Sequence, residues 1–245
     1  MKKFLNIYQY ITPLLLLPLS YYLWWTRFGE NHKFVIFVMS IPIITSYIIP
    51  ALGTNVTKLW EFDTKIRLGK FRPHHGFVFG TATSLIAFVC VEPFTVGLDL
   101  GGVLRSGFVM ASVLAFWNFI YDIFAIKAGF IKVYNKQYFE GEGPEAIAMD
   151  YAPIYFGVFG LIYGIGIKIG QHIFLENAST KWMILIAIIF NILALTVPTS
   201  IFALVSYFKN GYSGVSAYRK GTLNECSQTY EKLGFDQINK VGDVK

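Results

Sequence analysis

Asp122 stands in "FWNFIYDIFAIKAGF", one helical turn after Asn118. A spacing of four puts the amide and the carboxylate on one helix face. A carboxylate within an apolar run is costly to bury and marks a functional position by default. It suits general acid or base work, with Asn118 holding its orientation. The competing reading is structural, a shallow Asp122 paired with Lys127 or with a loop arginine.

His74 and His75 close the stretch "RLGKFRPHHG". Adjacent histidines point apart, so they do not form the i, i+4 metal pair of a helix. Either can relay a proton or donate to a headgroup. Arg67 and Arg72 in the same stretch carry guanidinium forks that suit a phosphate or carboxylate. Trp117 and Tyr121 would add an apolar wall beside Asp122. The acidic stretch "FEGEGPEAIAMDYAP" ends near Asp150, which reads first as the N-cap of a helix starting at 151. If the loops fold together, Asp150 would lie opposite His75 and Asp122 on the substrate's polar side.

Asn118-x3-Asp122 resembles the first half of the aspartate motif of UbiA-type intramembrane prenyltransferases. The likeness covers five residues; the rest of that motif and a second aspartate pair have no counterpart here. The four histidines, 32, 74, 75 and 172, are too scattered for a di-iron or bis-histidine haem site. His172 and Glu176, spaced i, i+4, read as a helix-end pair. No H-E-x-x-H, G-x-S-x-G or P-loop occurs. The sequence therefore names no cofactor and supplies no metal-ligand set, which points to metal-independent acid/base chemistry.

The elements that position these groups are apolar. Hydrophobic residues make up 54% of the 245-residue chain and charged residues 15%, against about 25% charged in soluble domains. A bilayer core takes about 20 apolar residues as helix. The runs predict an all-α, polytopic membrane bundle of about six helices: 6–26, 34–52, 76–95, 104–126, 151–171 and 182–208. Residues 1–208 form the transmembrane domain and 209–245 a polar C-terminal tail. The amino terminus resembles a signal peptide, yet bulky Tyr21, Tyr22, Trp24 and Trp25 stand where a small-residue cleavage site belongs, so it reads as a retained first helix. The two cysteines, Cys90 and Cys226, fall in an apolar run and in the tail, and are not expected to pair.

With the amino terminus in the cytosol, 16 of the 21 lysines and arginines lie on the cytosolic side. This positive-inside bias predicts a multi-pass protein with both termini cytosolic. The basic loop before His74 is thus partly a topology signal. Trp60 and Phe62 in it suggest a short amphipathic interfacial helix. Glu92 and Arg105 suggest a pair on the opposite side. Glycines at 157, 160, 164, 166 and 170 allow close helix approach, within the chain or toward a homo- or hetero-oligomeric partner. Two Asn-x-Ser/Thr matches, at Asn55 and Asn177, are not expected to be glycosylated. The net charge of +6 follows the helix ends, which speaks for lipid headgroups rather than nucleic acid.

The expectation is an integral membrane enzyme that acts on a lipid or isoprenoid-like amphipathic substrate from the cytosolic leaflet. Its ionisable groups gather on one membrane face, as such a substrate's headgroup requires. The alternatives are a non-catalytic subunit of a membrane complex and a small transporter. Against transport, the predicted helices carry few polar groups at mid-depth.

Overall fold

The computed structural model describes residues 1–91, 98–176 and 178–218. It is mostly helical. The first helical stretch is α1 (Lys2–Ile11), a π-helical turn (Thr12–Leu16) and α2 (Leu17–Arg27). Pro13 and Pro18 explain the interruption of the helix expected over 6–26. Each ring removes a backbone donor and crowds the preceding turn, and a wider π turn accommodates this. Next come α3 (His32–Asn55), strand β1 (Trp60–Phe62), α4 (His75–Cys90) and α5 (Leu100–Lys127). Strand β2 (Ile131–Val133), the single turn α6 (Lys136–Phe139), α7 (Pro144–Leu175) and α8 (Thr180–Asn210) complete the order. Four helices, α3, α5, α7 and α8, are long and apolar enough to cross a membrane; α4 is shorter.

Side-chain caps explain two of the long-helix starts. Asn31 accepts from Phe34 N at the start of α3, and Asp99 from Gly102 N at the start of α5. Pro144 after Gly143 opens α7, since proline suits a first turn whose donors are unused. This corrects the expected start at 151: Asp150 lies inside α7 and is not an N-cap. At the other boundary in doubt, Val91 is already extended, so α4 stops short of the expected 95. Pro93 disfavours helix ahead of it. The expected Glu92–Arg105 pair, Asn177, and the tail beyond 218 with Cys226 fall outside the described residues.

Helices α5 and α7 form the closest pair, antiparallel, and glycine makes it so. A β-carbon at Gly160 would meet the Met110 carbonyl at 2.4 Å, and one at Gly164 would meet that of Ser106 at 2.3 Å. Ser106 Oγ donates to Gly164 O at 2.9 Å. Gly166 and Gly170 take the rings of Phe190 on α8 and Phe37 on α3. These glycines are thus occupied by neighbours in the same chain. Helix α4 runs back along α3, with Gly76 against Tyr47 and Gly80 against Ile43.

The charged loops meet at one end of the bundle. Strands β1 and β2 pair antiparallel there, Trp60 with Val133 and Phe62 with Ile131. Phe62, Ile131 and Val133 point inward and are buried. The expected amphipathic helix is therefore a strand: alternation over so few residues satisfies Phe62 by burial rather than by lipid. Lys2 pairs with Asp63, and residues of the C-terminal segment bond to both loops, Ala217 N to Thr57 O and Tyr218 N to Tyr134 O. The opposite end holds Arg27 on Phe88 O, Asn31 on Phe174 O, and the His172–Glu176 pair.

Candidate functional site

The antiparallel register that sets Gly160 against Met110 also brings Tyr151 of α7 opposite Asp122 of α5. The Tyr151 hydroxyl donates to Asp122 Oδ2 at 2.7 Å. Asp122 is 4% exposed, so the phenol satisfies a carboxyl that water scarcely reaches. Neither Asn118 nor Lys127 does this. Asn118 Nδ2 donates back to Leu114 O at 2.8 Å in its own helix, which corrects the expected Asn118–Asp122 pairing. A side-chain amide four residues along finds the backbone carbonyl first.

Asp122 and Tyr151 line a cleft together with His75, the first residue of α4. The rest of its wall is largely apolar and aromatic, including Phe62, Phe79, Phe156 and Phe159, with Thr45 and Ser46 on α3. His75 and Asp122, far apart in sequence, thus line one cleft. His75 Nδ1 accepts from Arg72 Nη2 at 2.5 Å. A guanidinium only donates, so His75 is held neutral at that nitrogen and keeps its Nε2–H as its other polar edge.

Arg72 is itself 1% exposed. Its Nη1 donates to Gln9 Oε1 at 3.2 Å, and its charge lies over the rings of Phe62 and Phe130 at 5.0 and 5.3 Å, within cation–π range. Among the described residues no carboxylate stands at ion-pair distance from it. Burial pushes its pKa below the ordinary guanidinium value, offset in part by the hydroxyls of Tyr121, Tyr10 and Tyr8. Tyr121 thus belongs to the Arg72 group, where it also meets Phe79 edge-on. Gln9 on α1, buried and bonded to both Arg72 and His74, is, with Tyr151, a residue that sequence reading missed. An uncharged glutamine in a first helix carries no signal of its own.

His74 does not line the cleft. Its Nε2 donates to Gln9 Oε1 at 3.1 Å, and its pKa is lowered to about 4, first by desolvation and then by the Arg72 charge. Arg67 lies outside: it donates to Thr64 O at 2.6 Å and pairs loosely with Glu61 at 3.9 Å. Trp117 is 54% exposed on the outer face of α5. Asp150 is buried on the other side of α7, where Gln137, Asn210 and Lys209 donate to Oδ1 and Asn135 to Oδ2. The structure therefore brings Asp122, His75 and Tyr151 to the cleft, sets Arg72, Tyr121, Gln9 and His74 in a polar group joined to it through His75, and leaves Asn118, Arg67, Trp117 and Asp150 apart from both.

Among the described residues no cluster of three or more histidines, cysteines or carboxylates offers a metal site. Comparison of the chain with protein-family models, curated proteins and solved structures finds no match.

Proposed function

We propose that this chain is an integral membrane enzyme that acts on a lipid or isoprenoid-like amphipathic substrate by acid/base chemistry at Asp122. The observation that carries this reading is one buried carboxyl, held by the Tyr151 phenol, in the wall of a largely apolar cleft. A soluble, polar substrate gains nothing from such walls, whereas an alkene or an alkyl chain does. Asp122 gives a proton to one carbon of the substrate and, now a carboxylate, takes one from a neighbouring carbon. The net change is a shifted double bond or a closed ring, with no atom gained or lost. Tyr151 holds the carboxyl in place through both steps. His75, neutral and donating from Nε2, faces the substrate's polar part, and Arg72 fixes that tautomer.

The membrane placement belongs to the same proposal: six crossings, both termini cytosolic, and the cleft open toward the cytosolic leaflet. In support, the pieces from Lys2 to Arg27 reach about 39 Å at 1.5 Å per residue, enough for a core of about 30 Å. The α4 helix lies along α3, which is itself long enough to cross. Outward side chains of α8 such as Ile188, Leu204 and Phe208 are exposed and apolar, as a lipid-facing surface requires.

The test is a mass-spectrometric lipid profile of host membranes holding the wild type, Asp122→Asn or neither. A lipid gained or consumed with the wild type, and unchanged with Asp122→Asn at equal expression, is the expected result. Three identical profiles in a host fed polyisoprenoid and acyl lipids would overturn the reading.

A further inference from the structure

Two clefts meet at Tyr151. The one that holds Asp122 and His75 has a cavity volume of about 80 Å³. A single water takes about 10–15 Å³ by this measure, so a handful of substrate atoms exhausts it. A second cleft of about 220 Å³ lies between α3, α7 and α8. It shares Ile49, Trp60, Tyr151 and Tyr155 with the first, so these four side chains form a common wall. Leu52, Phe202 and Val215 make the rest of its lining mostly apolar.

The second cleft is continuous with the outer surface. Leu52 belongs both to its lining and to the exposed face of α3, and Ile201 and Leu204 are exposed beside its α8 wall. The partition between the clefts is set by the backbone. A β-carbon at Gly53 would lie 2.1 Å from the Trp60 ring, so only glycine lets that ring rest on α3.

We infer that the second cleft holds the hydrocarbon chain of the same substrate, while the reacting part sits at Asp122. The volumes require this division: a lipid-sized molecule overfills the first cleft, and the only shared wall leads to the second among those described. The chain passes Trp60 and Tyr151 and leaves between α3 and α8, where the surface is apolar. The choice of occupant rests on the enzyme reading above; the presence of a chain site does not.

The experiment uses the purified full-length protein in detergent and a long-chain fatty alcohol with a terminal diazirine. After photolysis, adducts are mapped by peptide mass spectrometry. Adducts at Phe202 or Val215 are expected, since Leu52 is also reached from outside. They should be lost in Thr199→Trp and in Leu52→Trp, which fill the cleft from opposite walls, while adducts at outward Phe116 persist. Asp122→Asn should leave the labelling intact. Adducts confined to outward side chains overturn the inference, and the wild-type map alone decides that. Cleft adducts unaffected by a correctly folded tryptophan variant overturn it as well. Should labelling follow expectation while the lipid profiles of wild type and Asp122→Asn agree, the chain site stands and the enzyme reading falls.

Discussion

The Tyr151 hydroxyl and the Asp122 carboxyl meet at 2.7 Å across the α5–α7 interface, and that interface is held by glycines far from either residue. Gly160 and Gly164 let the two backbones touch, which fixes the register in which residue 151 faces residue 122. A packing feature at one depth thereby decides a chemical pair at another.

Tyr151→Phe removes the donor and keeps the ring. A hydrogen bond nets about 0.5–1.5 kcal/mol, and up to about 3 to a charged group, so the thermal midpoint should fall modestly without loss of fold. Product formation should drop below the wild-type level yet exceed that of Asp122→Asn. Wild-type turnover in Tyr151→Phe would show that the phenol does not position the carboxyl.

The glycines can be ranked. Overpacking a tight interface costs about 1–3 kcal/mol, and at Gly160 the obstacle is unyielding backbone, so Gly160→Leu should lie at the upper end. Gly157→Ala should be nearly neutral, because its nearest neighbour would stand at 3.6 Å. Thermal midpoints in detergent check the contrast; equal losses at both positions would refute it.

Asp150 ties the end of α8, from which the segment 211–218 leaves, to the loop between α5 and α7. Asp150→Ala leaves the Gln137 amide without its acceptor and removes one of two from Asn135 and Asn210, which keep Ile147 O and Ser206 Oγ. Leaving buried donors unpaired costs about 1–3 kcal/mol. Hydrogen exchange at Ala217 and Tyr218, whose amides bond to Thr57 O and Tyr134 O, should accelerate. Unchanged protection there would mean that the segment is held without Asp150.

The pH dependence has a defined sign at His74. Its pKa falls from 6.5 to about 4 in the folded chain, so between those values the unfolded chain binds more protons. Stability from the neutral ring is complete above 6.5 and is lost as pH falls through that window. The thermal midpoint of the wild type should therefore drop on acidification. His74→Gln keeps a donor for Gln9 and should drop less. A parallel decline in both proteins would remove His74 as a contributor.

Much of the architecture is legible without coordinates. Apolar runs of about 20 residues admit few solutions other than helices, and the long helical stretches all appear close to where the runs lie. Asp122 and His75 are legible for a similar reason: an acid in oil and a histidine beside a proline stand out by type. What was illegible follows from contacts. Tyr151 and Gln9 are ordinary residues whose roles arise only when α7 and α1 bring them to Asp122 and Arg72. Trp60 and Phe62 alternate over three residues, too short a window to distinguish strand from helix, and pairing with β2 decides it.

The sequence by itself determined that this chain forms apolar helices with its basic residues gathered at one set of ends, because hydropathy and charge act locally along the chain. Only the tertiary structure decided which polar groups meet. Partner choice depends on register between helices distant in sequence, and here that register comes from glycines that carry no chemistry of their own. Asn118, Arg67, Trp117 and Asp150 had suitable types and spacing but face elsewhere. Tyr151 and Gln9 had no distinguishing spacing and complete the site.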